Sequence, residues 1–290
     1  MINQQEYLQR RQHLALQLPA DSVAIIPASS ELLRNGDSHY RFRQASDFYY
    51  LTGFNEPEAL LIITSGKESQ SILFNRPRNP AEEQWTGPRL GQDGATKELR
   101  MNQAFPISSL AKELPKLLMG KSAIYYAIGR HPHLEMVILA AFNTIKHEVR
   151  RGAKSPDTFG DLDPILGEMR LIKSAAEIDL MRRAAVISVN AHKAAMKKCK
   201  HLEYEYQLEA ELCYEFIRQG CRSVAYDPIV GSGENACVLH YTDNNATLAQ
   251  GALVLIDAGG EYGNYAADIT RTFPVSGRFS PEQKSIYELV

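Results

Sequence analysis

Between Arg150 and Pro164 the chain runs through Arg, Gly, Lys, Ser, Pro and Asp, with little that could enter a core. Such a stretch separates two interiors rather than contributing to one. At 290 residues the chain has the length of two domains of roughly 100 to 200 residues each, both large enough to bury a core. The spacing predicts a domain over 1–150, a linker over 151–172 and a second domain over 173–290.

The first segment alternates short apolar runs with turn-rich polar stretches. Val23–Ile26, Leu60–Ile63 and Ser71–Phe74 are brief, branched and bounded by turn residues, as strands are. Gln4–Leu18, Ile107–Leu118 and Leu134–Lys146 have helical composition, and an apolar run at Ala123–Ile128 lies between the last two. This half reads as a mixed α/β domain. The second segment opens with Ser174 and, three residues on, Glu177, the signature of a capping box. Ile178, Met181, Ala185, Val189, His192 and Met196 then mark one face of a long helix. A second helix carries Leu208, Leu212 and Phe216, with Gly220 as its C-terminal cap. Val224–Val230, Cys237–Tyr241, Leu253–Asp257 and Ala266–Phe273 read as strands, which makes this half α+β.

A net charge of -2 gives no general attraction to phosphate backbones or anionic lipid, so nucleic acid and membrane are not expected partners. The polar N-terminus lacks an export signal, and no apolar run approaches the roughly 20 residues of a membrane span. A cytoplasmic location is the simple reading. Cys199, Cys213, Cys221 and Cys237 form no C-x-x-C pair and are expected to be reduced and buried. His131-Pro132-His133 is expected in a surface loop, and the Gly231-Ser232-Gly233 turn lacks the spacing of a nucleotide-binding loop.

The chemistry concentrates in Leu253-Val-Leu-Ile-Asp257-Ala-Gly-Gly and Asp268-Ile-Thr-Arg-Thr-Phe273. The apolar run before Asp257 predicts a strand buried on both faces that delivers a carboxylate at its end. An ionised carboxylate in such a place needs a partner or neutralises. The glycines allow a reversal that returns Asp268 eleven positions later, and a hairpin would bring both carboxylates to one point. A divalent cation would relieve their repulsion, and hard oxygen donors favour Mg, Mn, Zn or Co over copper. Separate ion pairs, for instance with Arg271, or turn capping are the alternatives. His240, in the apolar Val238-Leu-His-Tyr241, is either a hydrogen-bonded core histidine or a donor beside that metal site.

Ser280-Pro281-Glu282 is a helix start, and Ile286, Leu289 and Val290 begin an apolar face that stops with the sequence. The expectation is that the fold continues past Val290.

Asp47-Phe-Tyr-Tyr-Leu-Thr-Gly53-Phe-Asn-Glu-Pro57, Trp85-Thr-Gly-Pro-Arg-Leu-Gly91, Ile229-Val-Gly-Ser-Gly-Glu-Asn235, Leu239-His-Tyr-Thr242 and Ile256-Asp-Ala-Gly259 through Pro274 together closely resemble the bacterial Xaa-Pro aminopeptidases, or aminopeptidases P. The resemblance implies an α/β N-terminal domain and an α+β C-terminal domain of the pita-bread, creatinase-like fold, the latter incomplete. It implies two divalent metals, typically manganese, held by two Asp, one His and two Glu. Asp257 and Asp268 match the two Asp positions, and His240 matches a histidine that contacts substrate and helps move protons. The other His and both Glu would lie beyond Val290. It also implies a homo-oligomer, a dimer or tetramer, in the full-length form.

The implied reaction removes the first residue of a peptide whose second residue is proline, through a hydroxide bridging two metals that also polarise the carbonyl. A bond to proline has no N–H, so a protease that grips substrate as an added strand loses a hydrogen bond there. As written, the chain is expected to be inactive. The alternatives are a non-catalytic pita-bread protein that binds peptides or partners, and a prolidase acting on dipeptides. Two converging carboxylates speak against the first and against creatine-hydrolysing relatives that dispense with metal; the N-terminal match speaks against prolidase.

Overall fold

The computed structural model describes residues 2–290, which divide into two compact units, Ile2–Ile172 and Lys173–Val290. The first begins with α1 (Gln4–Gln17), whose leading turn is closed by the Asn3 side chain accepting from the Glu6 N–H at 2.9 Å. There follow β1 (Ser22–Pro27), the hairpin β2 (Leu33–Asn35) and β3 (Ser38–His39), α2 (Ser46–Thr52), β4 (Leu60–Thr64), β5 (Gln70–Asn75), α3 (Pro80–Thr86) and α4 (Gly91–Lys97). The unit closes with β6 (Gln103–Pro106), α5 (Leu110–Leu118), β7 (Ala123–Tyr126), α6 (Pro132–His147), β8 (Thr158–Asp161) and α7 (Asp163–Leu171).

Six of these strands form one mixed sheet in the order β6-β5-β4-β1-β7-β8. β1 sits inside it, antiparallel to β4 and parallel to β7. Its apolar run is continuous because both faces are covered. Ala24 and Ile26 pack with α1, α2 and α7 residues such as Leu14, Leu51 and Leu166, while Val23 and Ile25 pack with Leu114, Leu118, Ile138 and Ile145 of α5 and α6. The α/β reading of this half holds.

The linker expected over 151–172 does not exist as such. β8 joins the sheet parallel to β7, and α7 is tied back to α2 by an Arg170–Asp47 ion pair at 2.5 Å and by Tyr50 Oη donating to the Met169 carbonyl at 2.9 Å. A short edge strand needs few apolar residues, so a polar stretch can still complete a sheet. His131-Pro132-His133 is also not a loop: His131 precedes α6, and Pro132 occupies its first turn, where a missing N–H costs nothing.

The second unit comprises α8 (Ala175–Lys198), α9 (Glu205–Arg218), β9 (Ser223–Val224), β10 (Ile229–Ser232), β11 (Leu253–Asp257), β12 (Gly260–Tyr262), β13 (Tyr265–Ala266), β14 (Thr270–Pro274) and α10 (Pro281–Tyr287). The capping box at Ser174 and Glu177 is present. The buried face of α8, however, is Leu180, Ala184, Ile187, Ser188, Ala191, His192 and Ala195, whereas Ile178, Met181 and Val189 are exposed. Both stripes have helical spacing. The one rich in alanine is buried because small side chains let α9 approach closely, which a count of apolar residues does not reveal. α9 packs through Leu208, Leu212 and Phe216, and Gly220 takes φ +101° just past its end.

The strands form two antiparallel sheets of three, β10-β11-β14 and β13-β12-β9. Four expectations change here. The strand expected over Val224–Val230 is two strands, β9 and β10, separated by 225–228 and belonging to different sheets. β11 is buried on one face only: Val254 and Ile256 are enclosed, while Leu253, Leu255 and Asp257 are half-exposed. The strand expected over Ala266–Phe273 is two strands interrupted at 267–269. The strand expected over Cys237–Tyr241 is a 3-10 turn, Gly233–Cys237, followed by an exposed bend. The outward N–H groups of β10 explain the last point. Val230 donates to Asn244 Oδ1 at 2.9 Å and Ser232 to Glu205 Oε1 at 2.6 Å, so the free edge has no N–H left for another strand. Among the cysteines, Cys199 and Cys221 are buried, and burial pushes both thiols up to about 11; Cys213 is half-buried and Cys237 is exposed, contrary to expectation.

Candidate metal centre

β11 ends in Asp257, which stands opposite Thr270 of β14. Between these strands the chain leaves the sheet, folds as the β12–β13 hairpin and returns. The Ala258 N–H donates to the Ile269 carbonyl at 3.1 Å, and the Ala267 N–H donates to the Gly260 carbonyl at 3.1 Å. These bonds draw the Asp268 segment against the end of β11. Gly259 permits the approach, since a Cβ there would lie 1.7 Å from the Ala267 carbonyl oxygen.

Both carboxylates then meet one atom. The Tyr226 hydroxyl lies within hydrogen-bonding reach of Asp257 Oδ1 and is 2.9 Å from Asp268 Oδ1. A phenol has one proton, so it satisfies one of the two oxygens at a time and leaves the like charges facing each other. Burial pushes the Tyr226 phenol far up, and the hydrogen bonds to Asp257 and Asp268 push it further, so it remains a donor. Arg271 does not resolve the repulsion: its guanidinium donates to the Thr270 carbonyl at 2.7 Å, and among the described residues it pairs with neither aspartate.

α8 holds the turn from behind. Ser188 Oγ accepts the Gly260 N–H at 3.0 Å. His192 Nε2 lies 3.0 Å from the Ala258 carbonyl, and because a carbonyl only accepts, Nε2 carries the proton. Burial pulls this imidazole down, against the opposing effect of that carbonyl, and a neutral ring fits an Nδ1 that has no hydrogen-bond partner among the described residues.

His240 stands apart. It is exposed in the bend after the 3-10 turn, beside Leu239 at 88% exposure, and no hydrogen bond among the described residues links it to Asp257 or Asp268. It is therefore neither a core histidine nor a partner of the two carboxylates in this structure.

Residues 7–125 match the aminopeptidase P N-terminal domain, and residues 179–290 match metallopeptidase family M24. The chain is 45% identical to the Xaa-Pro aminopeptidase of Escherichia coli (strain K12), over all of this chain and 66% of that protein. It superposes on the solved proline aminopeptidase P II from Yersinia pestis with a TM-score of 0.97 at 48% identity, over all of this chain and 67% of that one. The chain belongs to the aminopeptidase P family of M24 metallopeptidases. A zinc-substituted E. coli aminopeptidase P in complex with product also superposes with a TM-score of 0.97 at 45% identity, over all of this chain and 66% of that one. The second unit is thus an M24 pita-bread domain, and the chain spans about two thirds of the length of these relatives.

Within this aminopeptidase P fold the two aspartates supply hard oxygen donors aimed at one point, the donor type a divalent cation requires. Among the described residues no cluster of three or more His, Cys, Asp and Glu side chains forms, so the donor set on hand is these two. Tyr226, Ser188 and the role of His192 escape a reading of the sequence. Tyr226 is one of 14 tyrosines, and nothing local marks it.

Tyr226→Phe is expected to lower the stability of this unit by about 1 kcal/mol, the net worth of one such hydrogen bond. Urea unfolding followed by the circular dichroism of the second unit measures it. An unchanged midpoint would mean that water serves the carboxylates equally well.

Proposed function

We propose that this protein is a metal-dependent Xaa-Pro aminopeptidase, releasing the first residue from peptides with proline second. The observation that carries the reading is the convergence of Asp257 and Asp268 on one oxygen atom. The two carboxylates would hold a pair of divalent ions, manganese by preference, which when bound supply a nucleophilic hydroxide and polarise the scissile carbonyl. His192 and Ser188 hold the turn that carries Asp257, and Tyr226 fixes the rotamers of both aspartates. His240, projecting into solvent, is assigned to substrate, where its ring would stabilise developing charge and pass a proton. An octahedral site wants about six donors. The reading therefore assigns the remaining His and two Glu to the part of the family's length that these 290 residues do not span.

Among the described residues no helix is long and apolar enough to cross a membrane. A cytoplasmic location and a dimeric or tetrameric assembly accompany the proposal. Nothing in the structure favours a non-catalytic binding protein, because a binding module has no physical need for two facing carboxylates.

The test joins residues 1–290 to the remaining third of the E. coli enzyme and supplies Mn with peptides beginning Ala-Pro or Arg-Pro. The chimera is expected to release the first residue and to spare the same peptides with alanine second, while the 290-residue chain alone releases none. A folded chimera that releases nothing or is indifferent to proline would overturn the proposal, while robust turnover by the 290-residue chain would overturn the assignment of the remaining His and two Glu.

A further inference from the structure

Glu205 is fully buried in the first turn of α9, yet among the described residues no cation pairs with it. Four neutral donors converge on its carboxylate instead. Ser232 N–H and Asn235 Nδ2 donate to Oε1 at 2.6 and 3.3 Å, and Tyr241 Oη and Ala246 N–H donate to Oε2 at 2.8 and 3.0 Å. Burial of a carboxylate costs several kcal/mol unless such donors surround it, and the N-terminus of α9 adds a favourable dipole. One turn further along the same helix, Glu209 accepts from Asn244 Nδ2 at 2.8 Å. Asn244 is itself buried at φ +47°, and its amide also donates to the Pro228 carbonyl at 2.8 Å and accepts from Val230.

These partners share one feature. Ser232, Asn235, Tyr241, Asn244 and Ala246 bracket the single segment that carries His240. The Glu205 N–H donates to the Ala246 carbonyl at 3.0 Å and the Leu248 N–H to the Glu203 carbonyl at 2.8 Å, so the returning limb is laid along the start of α9. Between the anchored limbs Val238, Leu239 and His240 are exposed and belong to no strand. A segment without ladder hydrogen bonds has little backbone means of holding a tip in place, and the Val238 N–H, which donates to the Asn235 carbonyl at 3.0 Å, ties it only to the preceding 3-10 turn. The side chains of α9 do so instead, and Tyr241, adjacent to His240, is the anchor nearest the tip.

We infer that Glu205, assisted by Glu209, is a positioning residue that sets the pose of the His240 loop through Tyr241, Asn235 and Asn244. The assignment deepens the proposed function, because it matters to catalysis only if His240 meets substrate; the clamp itself stands or falls without that reading. Glu205→Gln keeps the size of the side chain but puts an NH2 group where one carboxylate oxygen accepts a backbone N–H, that of Ser232 or that of Ala246. Tyr241→Phe removes the anchor nearest the tip and leaves the other three.

Hydrogen exchange on the full 290-residue chain measures the backbone, and the imidazole 15N resonances of His240 report its pose. In Glu205→Gln, amides over 233–246 are expected to exchange at least tenfold faster, with α8, β11 and β14 unchanged and the His240 signals shifted and broadened. Tyr241→Phe should move the same His240 signals with a smaller exchange effect near residue 241. Uniform acceleration across 173–290 in Glu205→Gln, or His240 resonances unmoved in Tyr241→Phe, would overturn the inference. Should both variants loosen the loop while His240→Ala leaves turnover of the chimera intact, the clamp stands and the role given to His240 fails.

Discussion

Gly259→Ala is expected to lower the stability of the second unit by about 3 kcal/mol, the upper end of what overpacking usually costs, and to part Asp257 from Asp268. The added Cβ would lie 1.7 Å from the Ala267 carbonyl oxygen, 2.5 Å from the carbonyl carbon and 3.2 Å from the Asp268 nitrogen. All three are backbone atoms. No rotamer change relieves such a contact, so the β13–β14 connection must move, and Asp268 moves with it. Calorimetric unfolding measures the first effect; Mn binding by electron paramagnetic resonance, compared between variant and parent, measures the second. Gly167→Ala in α7 is the control, since a Cβ there meets nothing within 4 Å and alanine favours a helix by about 1 kcal/mol. Equal behaviour of the two variants would show that the close approach at Gly259 is not what joins the aspartates.

Arg11→Met should destabilise the first unit by about 3 kcal/mol or more. The Arg11 guanidinium is fully buried and donates to the carbonyls of Leu51, Leu99 and Arg100 at 2.9, 2.8 and 3.2 Å and to Ser71 Oγ at 3.2 Å. It ties together α1, the end of α2, β5 and the turn that precedes β6. Methionine keeps the apolar stem and strands those acceptors, each at about 1 to 3 kcal/mol where water cannot reach. Burial pulls the guanidinium down from its usual value to about 10, so it is charged at neutral pH and the folded state holds its proton less tightly than the unfolded one. The sign follows: the cost of that burial is present below pH 10 and is relieved as pH rises above it. The deficit of Arg11→Met is therefore expected to be flat from pH 6 to 9 in urea unfolding. A deficit under about 1 kcal/mol would mean that water replaces the guanidinium in those bonds.

Much of the chemistry was legible before any tertiary structure. The apolar run ending at Asp257, the glycines after it and the return of Asp268 identify two carboxylates with a means of meeting. The capping box at Ser174, the apolar strands β1 and β4 and the buried stripe of α9 are equally plain. These signals are short-range, because helical and strand periodicity and cap chemistry are set within a few residues. Where two local readings tie, as on α8, the sequence reading selects the stripe with larger apolar side chains; the structure buries the one with smaller ones.

The remaining features depend on pairings distant in sequence. Tyr226 reaches Asp257 and Asp268 across 31 and 42 positions, and Glu205 reaches Tyr241 across 36. The loop of His240 looked like a strand because Cys237–Tyr241 is mostly apolar, and it is not one because Asn244 and Glu205 had already taken the edge of β10. Residues 158–171 looked like a linker because a short edge strand carries little hydrophobic signal, and only its pairing with β7 makes it part of the first core. The sequence by itself determined which side chains can do chemistry and where most helices and strands begin. Tertiary structure decided which of those side chains share a point in space, because a hydrogen bond across forty residues follows from how the cores close and not from any pattern along the chain.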